Sequence, residues 1–182
     1  MDKNKILDKL FDLITYMREE YNLYRFNENL LLSKYLPINL HDLGEDYIIT
    51  GSFALHLYGI LPDKRVIGDI DLLCLDNPDN FMYYNPLKYQ NLEIIEEDDE
   101  YIQKQCKVKL DGQIFDILRT EGEEYNVFII KKDDKKYAIK VAKPYNIIKC
   151  KLHFFRDKDK EDIEKIIEKV YEKYEELRHL KK

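Results

Sequence analysis

The chain has no tryptophan and no apolar run of about eighteen residues, the length a helix needs to span a bilayer, so no helical membrane span is expected. Its three cysteines, Cys74, Cys106 and Cys150, lie far apart with no C-x-x-C spacing. That pattern suggests neither a zinc site nor a disulfide framework, and all three read as reduced, mostly buried thiols. No signal peptide is expected either. Met1-Asp2-Lys3-Asn4-Lys5 leads into an apolar stripe broken by charges, with no uninterrupted apolar core and no small-residue cleavage site, so a cytoplasmic location is expected. Nor is there an excess of positive charge. A net charge of -6 argues against a surface that is all nucleic-acid footprint, while leaving Lys and Arg free to gather around one cleft. No internal repeat or low-complexity tract is present. The missing tryptophan, beside abundant Tyr, Lys, Ile and Asn, fits an AT-rich coding sequence better than a functional requirement.

What is present describes a globular chain: 45% hydrophobic residues with 36% charged ones, over a length sufficient for one domain with a buried core. Three parts are expected within that domain: an N-terminal helical extension over 1–45, a sheet core over 46–142 and C-terminal helices over 143–182. From Lys5 to about Tyr21, Ile6, Leu7, Leu10, Phe11, Leu13, Ile14 and Met17 recur at helical spacing. A shorter helix is expected over Glu28 to Lys34, stopped before Pro37. Tyr47 to Thr50 reads as a strand that ends at Gly51-Ser52, followed by a buried helix from Phe53 to Tyr58. A polar connection carrying Lys64 and Arg65 leads to a second strand, Asp69 to Leu75, closed by Asn77-Pro78-Asp79-Asn80. Phe81 to Glu100 gives no pattern that selects helix or strand. Asp111-Gly112 is a two-residue hairpin signal joining a strand through Lys107 to Leu110 with its return over Gln113 to Leu118. Asn126 to Ile130 and Tyr137 to Val141 read as two further strands joined by a polar tip over Lys131 to Lys136. Helices are expected over Tyr145 to Phe155 and from Lys158 to about Leu177.

Chemistry concentrates at three acids and one turn. Side chains alternate across a strand, so Asp69 and Asp71 share a face, with Cα atoms roughly 6–7 Å apart, while Ile70 and Leu72 point to the other. Like charges that close in a partly dry place repel unless a cation lies between them. Magnesium suits such a site, since it takes hard oxygen ligands at about 2.0–2.1 Å and commonly uses one or two carboxylates beside phosphate oxygens and water. On the returning strand of the hairpin, Phe115 and Ile117 face one side and Asp116 the other, which adds a third acid that is costly to bury without a partner. The turn at Gly51-Ser52 offers unpaired backbone N–H groups to phosphates, with the Ser52 hydroxyl beside them.

These segments, IITGSFALHLYG, GDIDLLCLD and QIFDILRT, together resemble the nucleotidyltransferase superfamily that includes polymerase β and small bacterial members of the toxin type. The tail IIKCKLHFFRDKDKEDI is similar to the Lys- and Arg-bearing helical segment of the bacterial members, and the likeness covers about Asp46 to Ile167. It implies an α/β (α+β) fold, a mixed β-sheet flanked by helices. It also implies Mg2+ or Mn2+ ions that guide transfer of NMP, most often AMP or CMP, from an NTP such as ATP to a hydroxyl. Carried over, Asp69, Asp71 and Asp116 are the metal ligands and catalytic acids, with Gly51, Ser52 and Lys149 or Lys151 on the triphosphate. The acceptor is RNA such as a tRNA end, a protein or a small molecule, and the toxin type brings an antitoxin partner. The connection from Ser52 to Asp69 is longer than in the most compact members, which bears on where Lys64 and Arg65 fall.

Weaker patterns have plainer readings. Asp-x-Asp alone is common at strand ends, and the Gly-Ser turn alone is commoner still, so the order and placement of all four features carry the reading. Arg156, Lys158, Asp159 and Asp162 read first as solvated i,i+3 and i,i+4 helix pairs. His56 reads as a core or cleft-edge histidine, and His153 has no partner at metal-ligand spacing. A different class of function, a noncatalytic nucleotide- or protein-binding module on the same fold, competes with the enzyme; the intact acids count against it.

Overall fold

A computed structural model of the chain describes residues 47–59, 61, 68–74, 92–98, 105–110, 112–120, 122–132 and 134–180. The two helices expected in the N-terminal extension, and Lys64 and Arg65, lie outside these residues. The described elements are β1 (Tyr47–Thr50), α1 (Gly51–Leu57), β2 (Asp69–Cys74), β3 (Leu92–Asp98), β4 (Gln105–Leu110), β5 (Gln113–Arg119), β6 (Tyr125–Lys132), β7 (Lys135–Ala142), α2 (Pro144–Phe154) and α3 (Asp157–Leu180).

The strands form one seven-stranded mixed sheet in the order β3-β4-β5-β2-β1-β7-β6. Two pairings, β1 with β7 and β2 with β5, are parallel and the other four are antiparallel. An α+β architecture with a mixed sheet and helices is thus present, as expected. At the centre, β1 is buried along Tyr47 to Ile49, which explains its continuous apolar run. By contrast β2 alternates, with Ile70, Leu72 and Cys74 buried and Asp69, Asp71 and Leu73 partly exposed. The core joins Ile48, Ile49, Leu55, Leu57, Ile70, Leu72, Phe115, Ile117 and Val141 to Ile147, Ile148, Ile163 and Ile166 of the last two helices. Each such side chain contributes about 1.5–3 kcal/mol through burial.

The Asp111-Gly112 turn is where the sequence places it, with Leu110 opposite Gln113 and Gly112 at φ 84. The other hairpin differs from expectation. In place of a six-residue polar tip, β6 and β7 run on to Lys132 opposite Lys135, leaving a two-residue turn with Asp134 at φ 61. Asp134 and Lys136 at the end of this ribbon are exposed while the backbone goes on pairing, so polarity there did not end the strands. In the segment without a pattern, Leu92–Asp98 forms edge strand β3, with Glu93 opposite Lys109 and Glu96 opposite Lys107.

Helix α1 packs on β1 and β2, and α2 packs on both α1 and α3. The Tyr58 hydroxyl closes this layer: it reaches the carbonyls of Val141 at 3.2 Å and Ala142 at 3.0 Å, and accepts from Asn126 Nδ2 at 3.1 Å. Pro144 starts α2, where a missing N–H does no harm. Phe155 ends it in the left-handed region at φ 48, and the chain turns at once into α3. Among the described residues, no helix is long and apolar enough to cross a membrane.

Candidate functional site

Parallel pairing of β2 with β5 brings the three acids together. Asp71 stands opposite Asp116 in register, with Ile70 opposite Phe115 and Leu72 opposite Ile117. The four apolar residues are buried, so their burial turns the aspartates to the other face of the sheet. Asp69, Asp71 and Asp116 each offer a carboxylate oxygen, and these oxygens lie within 4.8 Å of one another. Among the described residues this is the one cluster of His, Cys or acidic side chains close enough to hold an ion.

The electrostatics of the cluster follow from its burial. The Asp71 carboxyl is pushed up to about 7, first by desolvation and then by the charges of Asp69 and Asp116, against the opposing pull of Lys151 and Lys158. Hard carboxylate oxygens gathered in this way fit a divalent cation such as magnesium or manganese, whose charge would relieve the repulsion. An ion held there would act as a Lewis acid on oxygen atoms of a bound ligand.

Gly51 closes one side. Antiparallel pairing sets Thr50 opposite Asp71, so the chain leaves β1 directly against the acid. Gly51 has φ 68, and a Cβ there would collide with Asp71 Oδ2 and lie 2.8 Å from its Cγ. Both the backbone conformation and the close approach therefore require glycine.

Ser52 and Lys151 meet beside this turn. Lys151 Nζ donates to Ser52 Oγ at 3.1 Å, to Asp162 Oδ2 at 3.0 Å and to Asp159 Oδ1 at 3.4 Å. Ser52 Oγ in turn donates to Asp162 Oδ2 at 3.3 Å. Of the two lysines left open by the sequence, Lys151 is buried next to Ser52, whereas Lys149, about 200° around α2, is exposed. The structure therefore brings together Gly51, Ser52, Lys151, Asp69, Asp71 and Asp116, and leaves Lys149 apart from them.

Two expectations are corrected. Asp159 and Asp162 are not solvated: they are 0% and 1% exposed. Arg156 does form the i,i+3 pair with Asp159, at 2.7 Å through Nε, and its own N–H donates to Asp159 Oδ2 at 3.2 Å. The Arg156 side chain itself is exposed. Lys158 is exposed, as read. The sequence does carry a signal for the two acids: positions 159, 162, 163, 166 and 167 share one helical face, and Ile163, Ile166 and Ile167 are core residues. The second correction concerns cysteine. Cys74 is buried, but Cys150 is exposed because it lies about 130° around α2 from the centre of the buried face formed by Ile147, Ile148, Lys151 and Leu152. His56 is buried, and His153 is exposed with its ring edge-on to Phe154.

The chain matches no protein-family model, no curated protein and no solved structure.

Proposed function

We propose that the chain is a metal-dependent nucleotidyltransferase that moves NMP from an NTP to a hydroxyl of RNA, protein or a small molecule. The observation that carries this reading is the convergence of Asp69, Asp71 and Asp116 within 4.8 Å, against a turn whose positive φ and close approach to Asp71 favour glycine. In this reading Asp69 and Asp71 hold the cation and Asp116 completes the site, next to the path of the attacking hydroxyl. Lys151 and Ser52 meet the outer phosphates from the side of α1.

The test is transfer of label from each α-labelled NTP, with magnesium or manganese, into the RNA, protein and small-molecule fractions of a cell extract. Label should enter one fraction and fall by more than about 100-fold with Asp71→Ala, since even outer-shell changes at metal sites cost 10–100-fold. Label that persists in the variant would overturn the assignment. Stabilisation by NTP without label in any fraction would favour the noncatalytic binding module.

A further inference from the structure

The buried face of α3 holds two aspartates among isoleucines, and their partners differ. Burying a carboxylate costs several kcal/mol unless it is paired, and an apolar residue in its place is often no less stable. Asp159 has a local partner in Arg156, which binds it through side chain and backbone at the start of the helix. Asp162 instead binds across elements, to Lys151 on α2 and Ser52 on α1. Three elements therefore meet at one carboxylate. An ammonium group has three protons, and those of Lys151 are matched by three acceptors: Asp162, Ser52 and Asp159. A side chain that would otherwise be free to rotate is fixed in direction. Ser52, one of these acceptors, follows Gly51, whose backbone lies against the Asp71 carboxylate, so the fixed group stands beside the acidic cluster.

We propose that Asp162 is a positioning residue, which holds the Lys151 ammonium and the Ser52 hydroxyl side by side as a preassembled pair for a triphosphate. It acts through these two groups and does not touch the substrate. The functional half of this inference rests on the nucleotidyltransferase reading; the structural half does not.

The experiment has two arms. In the first, the full chain is acylated with an amine-reactive reagent and the rate at each lysine is followed by mass spectrometry. Lys151 should be protected in the wild type and react severalfold faster in Asp162→Asn, while exposed Lys149 keeps its rate. Equal Lys151 rates would overturn the holding role. In the second, the affinity for inorganic tripolyphosphate with magnesium is measured for Asp162→Asn, Lys151→Met and the double variant. Asp162→Asn should weaken binding about 10–100-fold, the worth of a charged hydrogen bond, and the double variant should be no weaker than Lys151→Met alone. Unchanged or tighter binding in Asp162→Asn, or losses that simply add, would overturn the proposal. If Lys151→Met does not fold, Ser52→Ala gives the same cycle. If the wild type binds no tripolyphosphate, the nucleotide reading falls, and Lys151 acylation still decides whether Asp162 holds it.

Discussion

Two acidic clusters lie on either side of the Gly51-Ser52 turn, and they solve the problem of buried charge in opposite ways. In the α3 cluster the protein supplies its own cations. Burial raises Asp159, but the Arg156 hydrogen bond, the Lys151 charge and the Arg156 backbone N–H outweigh it, and the carboxyl is held below its ordinary value. In the sheet cluster acids face acids, and Asp71 is pushed up to about 7. The first arrangement is a finished structural joint. The second costs the apo fold stability, a cost that a bound cation would relieve.

Breaking each cluster should therefore have opposite consequences. Asp159→Ala removes the main carboxylate of Arg156 and one of the two that bind Lys151, and is expected to destabilise the protein by about 3–5 kcal/mol, read from urea unfolding. For Asp71 the folded value lies above the unfolded value of 3.8, so the folded state holds its proton more tightly and this group's contribution to stability declines as pH rises. Relative to Asp71→Asn, the wild type should lose up to ~4 kcal/mol between about pH 4 and pH 7 and change little above that. Saturating magnesium at pH 8 should restore much of the loss. A stability difference that is flat with pH would erase the contrast between the clusters. Gly51→Ala should cost about 1–2 kcal/mol from its positive φ alone, with more added by the Asp71 collision, and should weaken metal binding at the same time. Smallest is Lys149→Ala, expected within about 0.5 kcal/mol of wild type and without effect on tripolyphosphate affinity.

The same contrast shows what a sequence discloses. The sheet site was legible because its determinants are local: Asp-x-Asp fixes a shared face by strand alternation, Asp111-Gly112 fixes the register that exposes Asp116, and a strand ending in Gly-Ser marks the turn. Only the pairing of Asp71 with Asp116 needed the fold. The α3 cluster was harder, since Lys151, Ser52 and Asp162 belong to three elements and nothing local joins them. Its helical face was nevertheless visible in the spacing of Asp159 and Asp162 with Ile163, Ile166 and Ile167. Strand β3 was hidden for a related reason. Glu93, Glu96, Glu97 and Asp98 obscure its apolar residues, and they become reasonable in a strand only once Lys107 and Lys109 stand opposite two of them. Lysines misled in the other hairpin, where charge at the end of a ribbon marked exposure and not the end of pairing.

The most direct test of the central claim is a titration of the wild type and Asp71→Asn with manganese near pH 7.5, followed by the loss of the free-ion electron paramagnetic resonance signal. The wild type should bind manganese saturably, more weakly as the pH falls below 7, and Asp71→Asn should lose that binding while being the more stable apo protein. Absence of saturable binding in the wild type, or equal binding in the variant, would contradict the reading of the sheet cluster as a metal site.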